Sequence, residues 1–539
     1  MGAMKHATTL LASLLALLVL PLVSAGAPGP DDELVKEFKK YFKKYKDTPT
    51  RVEAILSLEG EESPKVVGVL VPILKDEEPE VVRAAVQVLS KFTTPRPVKE
   101  IMAEFEGTKD EAERVGLLEA VALGGYSLDP QNFYLALRDK SWEVRRRGAQ
   151  ATVAAALSDP TGRIDLTDPD EKPKRRPRDW PATPEDALQP LVGDKEVAVR
   201  CAALDGLARL GSRTVVEPSI AALGDPVWQV RVTAIQALGT VRDQRSIGPL
   251  VARMQVEEGR LVADIGAALA ELTGRNYGQR KDGWKSFWDT FADRFEMPSD
   301  EKIAEMKRAK KLQAEAYTPP GSVSYHGIQT PSRRILFVID VSGSMENEVI
   351  ERERFEDGEY PSMTRIDIVK TELARTIEGL EDYVEFNVMS FATEVDTWKK
   401  GLVRANVLNK SSAKDWVMKL EAIGGSSNEE LARAGLVGAA NMEAGKTNTF
   451  GALMEALGAA GTGIRDEEYE VAVDTIFFLS DGRPSTGKFV DTEDILREVL
   501  EANELRKIVL HTIAIGEFQK NFMKRLAEKS GGVFVDLGR

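Results

Sequence analysis

One short run of oxygen-bearing side chains follows an apolar stretch in the second half of the chain. The run reads ILFVIDVSGSM and places Asp340, Ser342 and Ser344 two residues apart. Side chains at positions i, i+2 and i+4 of an extended segment leave the backbone on the same side. One carboxylate and two hydroxyls are therefore presented together at the end of a strand. This all-oxygen set suits a hard cation that keeps several waters, above all Mg²⁺, and suits Zn²⁺ or Cu²⁺ poorly.

The composition gives little support to other kinds of chemistry. A single cysteine, Cys201, and three scattered histidines argue against a disulfide framework, a cysteine zinc site and a histidine-rich metal site. The sequence contains no P-loop, no H-E-x-x-H motif and no G-x-S-x-G motif. Its net charge of −14, without a long basic block, argues against nucleic acid as a partner. Together with the lack of a nucleophile–base pair near the cluster, these absences favour a binding protein over an enzyme.

The residues from about 332 onward alternate between strand and helix patterns, which predicts a mostly parallel sheet covered on both faces. Ligands of such sheets bind at the carboxyl ends of the strands, and Asp340 lies at that end of the first strand. The predicted strands are Arg334–Val341, Val384–Phe391, Asp474–Ser480, Ile508–Ile515 and Val533–Leu537. The predicted helices are Ile366–Leu380, Asp415–Glu421, Phe450–Ala459, Thr492–Asn503 and Lys520–Lys529. Thr364 and Asp367 have the spacing of a capping box before the first of these helices.

The first half of the chain carries an internal repeat. An acid is followed five and six residues later by Val-Arg, as in DPVWQVRVTA from Asp225, DKEVAVRCAA from Asp194 and DKSWEVRRRG from Asp139. Weaker copies start near Glu77, Asp110 and Glu257. The period of 225 − 194 = 31 residues predicts stacked helix pairs. We expect each acid to cap the second helix of its pair, and the Arg one turn later to reach a neighbouring acid.

Two segments interrupt or end the repeats. About 25 extra residues between Asp139 and Asp194 include the basic run Lys172–Arg178, which is predicted to be a solvated loop. Near the end of the repeats, four aromatic residues lie on one face of a predicted helix that caps the last repeat: Trp284, Phe287, Trp288 and Phe291.

The N-terminus has the pattern of a secretory signal peptide. Lys5 and His6 precede the apolar run LLASLLALLVLPLV, and Val23-Ser24-Ala25 provides the small residues of a cleavage site. The alternative is an uncleaved anchor, but the run is short for a bilayer span and contains Pro21. We expect an exported protein, periplasmic or extracellular, without a membrane span after cleavage behind Ala25.

Two further motifs connect the opening cluster to a known family. TNTFGAL places Thr447 just before a helix, and IFFLSDGRPSTG places Asp481 directly after an apolar strand. With D-x-S-x-S, these motifs resemble the three-part signature of a von Willebrand factor A (VWA) domain. The D-x4-VR-x2-A pattern of the first half resembles HEAT repeats. The expected fold is therefore a multidomain one, with an all-α HEAT-type solenoid followed by an α/β doubly wound, Rossmann-like VWA domain.

The resemblance implies a metal-ion-dependent adhesion site formed by Asp340, Ser342, Ser344, Thr447 and Asp481. In the family the two serines bind Mg²⁺ directly, the two acids bind largely through water, and the threonine enters or leaves the inner shell; Mn²⁺ or Ca²⁺ is an alternative metal. An Asp or Glu of a partner protein is often the remaining ligand. Lys446 departs from the glycine that relatives often have, and the long acidic loop Met345–Met363 is expected to overhang the site.

The sequence thus predicts an exported, non-catalytic scaffold that captures an acidic side chain of a protein through Mg²⁺, with the HEAT surface as a second protein-binding face. The alternative is an Mg²⁺-dependent hydrolase of phosphate esters, for which Glu346 and Glu348 are the nearest candidate bases. The predicted parts are a signal peptide (1–25), a solenoid with its aromatic cap (31–300), a linker (301–331) and a VWA domain (332–539).

Overall fold

The computed structural model describes residues 30–166, 178–313, 323–424, 445–458, 472–516 and 520–537. The chain divides into two compact units, of which the first ends at Trp180 and the second begins at Pro181. The predicted signal peptide (1–25) and most of the basic run Lys172–Arg178 lie outside the described residues. Within the described ranges, no helix is both long and apolar enough to cross a bilayer.

The first unit is built from helices joined by short 3-10 turns. Several helices start at a polar residue that caps them: Asp47, Ser63, Asp110 and Ser141 each accept a hydrogen bond from a backbone N–H two or three residues later. Their apolar stripes form one continuous core. The helices are α1 Pro30–Lys44, α2 Thr48–Leu56, α3 Pro64–Leu70, α4 Pro79–Ser90, α5 Pro95–Gly107, α6 Glu111–Gly124 and α7 Trp142–Leu157.

The second unit contains further repeat helices and then the sheet. This order, helical repeats followed by an α/β sheet, confirms the predicted fold class. The helices before the sheet are α8 Pro184–Leu188, α9 Val197–Arg209, α10 Val216–Ala222, α11 Trp228–Val241, α12 Ile247–Val256, α13 Arg260–Thr273, α14 Lys281–Phe291 and α15 Asp300–Gln313.

The arginines of two clear repeat motifs, those that start at Asp194 and Asp225, link their repeats to the next one. Arg200 Nη2 lies 3.1 Å from Asp225 Oδ2, and Arg231 Nε lies 2.9 Å from Glu257 Oε1. Arg231 Nη1 also donates to the carbonyl oxygens of Asp225, at 2.8 Å, and Pro226, at 3.1 Å. One guanidinium therefore holds its own turn and the acid of the following repeat, as the motif predicts.

Asp110, the acid of a weaker repeat copy, caps α6 as predicted, whereas Asp194 and Asp225 lie upstream of the predicted cap position. Asp194 Oδ1 accepts from the N–H of Glu196 at 2.9 Å, and Asp225 Oδ1 accepts from the N–H of Val227 at 2.8 Å. In both cases the acid accepts from the N–H of the residue just before the helix and not from an N–H of the first helical turn. The acid therefore shapes the turn that enters the helix, because the motif places it three residues upstream of the helix start.

The aromatic helix α14 buries the face that the spacing predicts. Trp284 and Phe287 are buried, and the Trp284 indole N–H donates to the carbonyl of Gly278 at 2.8 Å. Tyr277 meets the Trp284 ring edge to face, with the centroids 5.0 Å apart. Because α14 packs against α12, these rings close the end of the repeat core.

The sheet of the second unit has the strand order β5-β4-β3-β7-β8-β9, and β6 pairs with β4. Strands β4, β3, β7, β8 and β9 run parallel, whereas β5 and β6 are antiparallel additions at the β4 edge. A separate hairpin, β1 with β2, precedes it. The strands are β1 Val323–Tyr325, β2 Ile328–Thr330, β3 Arg334–Asp340, β4 Glu385–Phe391, β5 Val395–Thr397, β6 Val403–Arg404, β7 Thr475–Ser480, β8 Val509–Ala514 and β9 Phe534–Asp536.

Helices cover both faces of this sheet, because its central strands are apolar on both sides. Alternate residues of β3 enter different cores: Phe337 packs on one face, and Leu336 and Val338 pack on the other. The helices of this region are α16 Arg365–Glu378 and α17 Val407–Met418 on the Phe337 side, and α18 Thr449–Ala456, α19 Thr492–Arg506 and α20 Lys520–Lys529 on the other.

Helix α13 docks onto the amino-terminal ends of the strands. The buried Arg260 guanidinium donates to the carbonyl oxygens of Asp474, at 3.3 Å, and Lys507, which precede β7 and β8. The guanidinium carbons of Arg260 and Arg334 lie 5.6 and 5.3 Å from the centroid of the Trp228 ring. The carboxyl ends of the strands, where ligands bind in such sheets, are consequently at the opposite edge.

We expect the repeat arginines to contribute to stability. Replacing Arg231 with Ala removes a half-buried guanidinium that serves two carbonyls and Glu257, at a cost of about 2 kcal/mol. Arg209→Ala is the control, because Arg209 pairs with Asp205 at 3.9 Å on the surface, and it should change stability by less than about 0.5 kcal/mol. Differential scanning calorimetry of both variants makes the comparison. Equal transition temperatures of the two variants would show that the arginines that link successive repeats do not stabilise them.

Candidate functional site

The polar cluster lies at the carboxyl edge of the sheet, where β3 and β7 end side by side. Strand β3 ends at Asp340, and β7 ends at Ser480 just before Asp481. These strands are paired in parallel through Ile339 and Leu479, so their ends coincide. The two acids, 141 positions apart in sequence, are therefore brought to one place by the sheet register.

Asp340 is fully buried and both of its carboxylate oxygens are bonded. Oδ1 accepts from the backbone N–H of Ser342 at 2.8 Å, and Oδ2 accepts from the hydroxyl of Ser480 at 2.5 Å. Ser342 is also buried, with its Oγ 3.3 Å from Ser344 Oγ. The carboxylate therefore orients the turn that presents both serine hydroxyls.

Asp481 joins the same cluster from β7. Its Oδ1 accepts from the Ser344 hydroxyl at 2.7 Å, and its Oδ2 is bonded to the guanidinium of Arg365, the first residue of α16. The Asp481 side chain has no exposed surface. Asp340, Ser342, Ser344 and Asp481 thus form one connected group of oxygen atoms.

Thr447 completes the group from a third segment of the chain. Its buried side chain faces Gly482, because a Cβ atom built on this glycine would lie 3.0 Å from Thr447 Oγ1 and 3.5 Å from Ser344 Oγ. The backbone of this segment is held from both sides: Thr447 N–H donates to Ser485 Oγ at 2.9 Å, and Gly343 N–H donates to the Gly445 carbonyl at 3.1 Å. All five residues of the predicted metal site are therefore close together in the fold.

Among the residues that the structure describes, the ion pairs of the cluster leave its charges unbalanced. Asp340 and Asp481 are both buried carboxylates, and one guanidinium, that of Arg365, pairs with Asp481. Burial of the carboxyl, and then the charge of Asp481, raise the pKa of Asp340 to about 7. The negative charge left at the site makes a bound cation favourable.

The donor set fits a hard divalent cation. Three hydroxyls and two carboxylates lie close together, and a Cβ atom on Gly482 would come within 3.0 Å of Thr447 Oγ1 and 3.5 Å of Ser344 Oγ. All of these donors are oxygens, which Mg²⁺ and Ca²⁺ prefer. In the described residues there is no cluster of three or more His, Cys, Asp or Glu side chains that could hold a metal. A site of this kind therefore depends on hydroxyl ligands.

The acidic loop after Met345 is anchored to the fold. Val349 and Phe355 are buried in the core on the α16 side, and the Val349 N–H donates to the Met363 carbonyl at 2.9 Å. Of the two acids considered as bases for hydrolysis, Glu348 is paired with Arg352.

The two histidines in the described residues, His326 and His511, contribute to packing. His511 is buried in β8, stacks on Phe477 with centroids 4.9 Å apart and accepts from the Val533 N–H at 3.0 Å. Burial lowers the pKa of His511 and of His326 to about 4. Cys201 is also buried, and burial raises the pKa of its thiol. Both histidines and the thiol are therefore neutral at physiological pH.

Comparison with family models matches two parts of the chain. Residues 185–270 match HEAT repeats, and residues 357–536 match a von Willebrand factor type A domain. The chain carries HEAT repeats and a VWA domain. Thr447 and Asp481 lie inside the VWA match, whereas Asp340, Ser342 and Ser344 precede its first residue.

The curated relatives include heavy chains of inter-alpha-trypsin inhibitor. The human H6 chain is 25% identical over 211 residues, which is 38% of this chain and 13% of the relative. The human H4 chain is 25% identical over 209 residues, 38% of this chain and 18% of the relative. The mouse H2 chain is 27% identical over 205 residues, 37% and 17% respectively. The chain thus spans less than a fifth of the length of these relatives.

Solved structures similar to parts of the chain include representatives of both regions. A von Willebrand factor type A protein from Catenulispora acidiphila is 19% identical, with a TM-score of 0.24, and the match covers 39% of each chain. The phycocyanin lyase complex from Nostoc is 14% identical, with a TM-score of 0.25, and the match covers 50% of this chain and 98% of that one.

Sequence reasoning missed three residues of the site. Ser480 bonds Asp340, Ser485 bonds the Thr447 backbone, and Arg365 pairs with Asp481. Both serines lie within five residues of Asp481, so their position beside the motif could have identified them as site residues. Arg365 is 116 positions from Asp481, and no local pattern points to it.

The capping box predicted at the start of α16 is wrong in its partners. Thr364 makes no side-chain bond to the N–H groups of the helix. Instead the Ser362 hydroxyl lies 2.8 Å from Thr364 Oγ1 and donates to Asp367 Oδ2 at 2.6 Å. Ser362 Oγ also accepts from the Thr364 N–H at 3.2 Å, the bond that Asp367 would accept in a capping box.

The raised pKa of Asp340 predicts a specific dependence of stability on pH without metal. Because the folded pKa, about 7, lies above the usual 3.8, the folded state keeps a proton that the unfolded state loses. Stability from this group is therefore present below about pH 4 and lost as the pH rises to about 7. Asp340→Asn keeps the shape and removes the titration, so in EDTA its melting temperature relative to wild type should rise from pH 5 to pH 8.

The matched control is Asp494→Asn, which changes a half-exposed acid in α19 that pairs with Arg497. Its melting temperature relative to wild type should not follow the same trend. A difference between Asp340→Asn and wild type that stays constant from pH 5 to pH 8 would contradict the prediction.

Proposed function

We propose that this chain is a non-catalytic binding protein that captures an acidic side chain of a partner protein through Mg²⁺. Asp340, Ser342, Ser344, Thr447 and Asp481 would hold the ion, with Mn²⁺ or Ca²⁺ as possible substitutes. The observation that carries the proposal is the convergence of three hydroxyls and only two carboxylates, from three segments, at the carboxyl edge of the sheet. When bound, the ion supplies an electron-poor centre that accepts an anionic oxygen.

The charge of the site explains why the ligand would be an acid. One of the two carboxylates is already neutralised by Arg365. A divalent cation bound beside the remaining negative charge leaves the site with a net positive charge, so it attracts a further carboxylate. The two Asp340 oxygens accept from the Ser342 N–H and the Ser480 hydroxyl, so Asp340 orients the turn that carries the serine hydroxyls.

The arrangement favours binding over hydrolysis. A hydrolase would need a base that can reach a water at the ion. Glu348, one of the two nearby acids, is engaged by Arg352. The curated relatives are by name heavy chains of inter-alpha-trypsin inhibitor.

The proposal also covers the rest of the chain. We propose a signal peptide over residues 1–25 that directs export to the periplasm or the cell exterior. The HEAT solenoid (31–300) would offer a second protein-binding surface and connect through a linker (301–331) to the VWA domain (332–539). The repeat region supports this role because stacked helix pairs expose extended faces.

Magnesium should stabilise the folded protein. At about 100 times its dissociation constant, a ligand of the native state adds about 2.7 kcal/mol, which should appear as a higher melting temperature in Mg²⁺ than in EDTA. Asp481→Ala should abolish the increment, because it removes the carboxylate that bonds Ser344. Asp494→Ala, at a surface acid in α19, should preserve it. Identical melting curves of the wild type in Mg²⁺ and EDTA would count against a metal site.

Partner capture should depend on the ion. A pulldown from a native extract with the full chain as bait should enrich a protein in Mg²⁺ and lose it in EDTA and with Asp340→Ala. Changing a single Asp or Glu of the enriched protein should abolish its binding. Binding that persists in EDTA, or metal-dependent turnover of phosphate esters that is lost in Asp340→Ala, would overturn the proposed function.

A further inference from the structure

Arg365 brings a positive charge of the chain itself into the proposed metal site. Its Nη1 atom is bonded to Asp481 Oδ2 and lies 3.4 Å from the Ser344 carbonyl oxygen. The arginine side chain is 12% exposed and the Asp481 side chain is 0% exposed. The guanidinium is therefore directed inward at a predicted ligand rather than toward solvent.

The backbone around Arg365 fixes this position. The Arg365 N–H donates to the Asn347 carbonyl at 2.9 Å, and the Asn347 N–H donates to the Ser344 carbonyl at 3.1 Å. The start of α16 is thus tied to the turn that carries Ser344. Across the site, a Cβ atom on Gly516 would lie 3.0 Å from the Asp481 carbonyl oxygen and 3.5 Å from Arg365 Nη1. The absence of a side chain at position 516 leaves the room in which the ion pair forms.

This ion pair restricts what Asp481 can do for a metal. One oxygen, Oδ2, is held by the guanidinium, and Oδ1 faces the Ser344 hydroxyl. To coordinate a cation with both oxygens, the carboxylate would have to leave Arg365. A cation at the hydroxyls would also be repelled by the guanidinium across a short, poorly solvated distance. Both effects weaken the binding of a divalent ion.

The same contact lowers the cost of burying the two acids side by side. Two buried carboxylates with no positive charge nearby would repel each other and carry a large desolvation cost. Arg365 neutralises Asp481 and leaves a net charge of about one on the pair of acids. The site therefore has an internal substitute for part of the charge of a metal.

We propose that Arg365 is a built-in competitor of the divalent cation: it keeps Asp481 from chelating the ion and lowers the affinity of the site for Mg²⁺. The inference rests on the proposed metal site and adds the group that sets its affinity. Arg365 is a positioning residue that acts through Asp481. Its presence keeps a bound ion poor in carboxylate ligands and so available to a partner's acid.

Isothermal titration of the full chain with MgCl₂ tests the proposal. Arg365→Gln should bind Mg²⁺ about tenfold more tightly than the wild type, because it removes one nearby positive charge and frees one carboxylate oxygen. Arg365→Lys keeps the charge and should stay within about threefold of the wild type. Arg497→Gln, at a half-exposed arginine that pairs with Asp494, is the control and should leave the affinity unchanged.

Melting temperatures give an independent readout. In EDTA, Arg365→Gln should melt below the wild type, because Asp481 stays buried without its partner. Its gain on adding Mg²⁺ should exceed the gain of the wild type. If the Gln variant does not fold, Arg365→Met, which preserves the packing of the aliphatic stem, provides the same comparison.

The outcomes separate this inference from the proposed function. If the wild type binds Mg²⁺ and the uncharged variants bind it equally or more weakly, the role of Arg365 is wrong while the metal site stands. If the uncharged variant binds Mg²⁺ and the wild type does not, competition by Arg365 is supported in its strongest form. If none of the proteins binds Mg²⁺, the metal site itself is wrong and the inference falls with it.

Discussion

Two carboxylates buried beside each other at the carboxyl edge of the sheet determine how the rest of the site is built. Asp340 and Asp481 follow neighbouring parallel strands, so the register of β3 and β7 forces them together. Unbalanced charge in such a place is costly, and the fold responds with hydroxyl donors around both acids and one guanidinium on one of them. Hydroxyls stabilise a carboxylate without cancelling its charge, which leaves a place for a cation.

The repeat helices position the sheet by contacting it at the strand ends opposite the site. Arg260 in α13 donates to carbonyl groups that precede β7 and β8, and the Trp228 ring contacts the guanidinium groups of Arg260 and Arg334. This contact uses the amino-terminal ends of the strands, and the acids follow the carboxyl ends. The second unit thereby separates support from binding, as open α/β sheets commonly do.

Features that depend on local interactions could be predicted from the sequence, whereas features that depend on contacts between distant residues could not. Strands and most helices were predicted from local apolar patterns, and the D-x-S-x-S run indicated the candidate site because its residues are close together in the chain. Helix α17 begins at Val407, well before the predicted Asp415. The prediction missed this start because the first residues, Val407 and Leu408, are apolar but exposed and so do not follow an amphipathic pattern. The pairing of Arg365 with Asp481 depends on tertiary packing over 116 positions and could not be read from the sequence.

The central claim is that a divalent cation binds among the serine hydroxyls and the two acids. Anomalous diffraction from crystals grown with Mn²⁺ tests this most directly, because it locates the ion without assuming its ligands. We expect a single strong peak beside Ser342 and Ser344, with Thr447 and Asp481 as the next nearest residues. Crystals whose anomalous map lacks a peak there at saturating Mn²⁺, or shows manganese only at other residues, would contradict it.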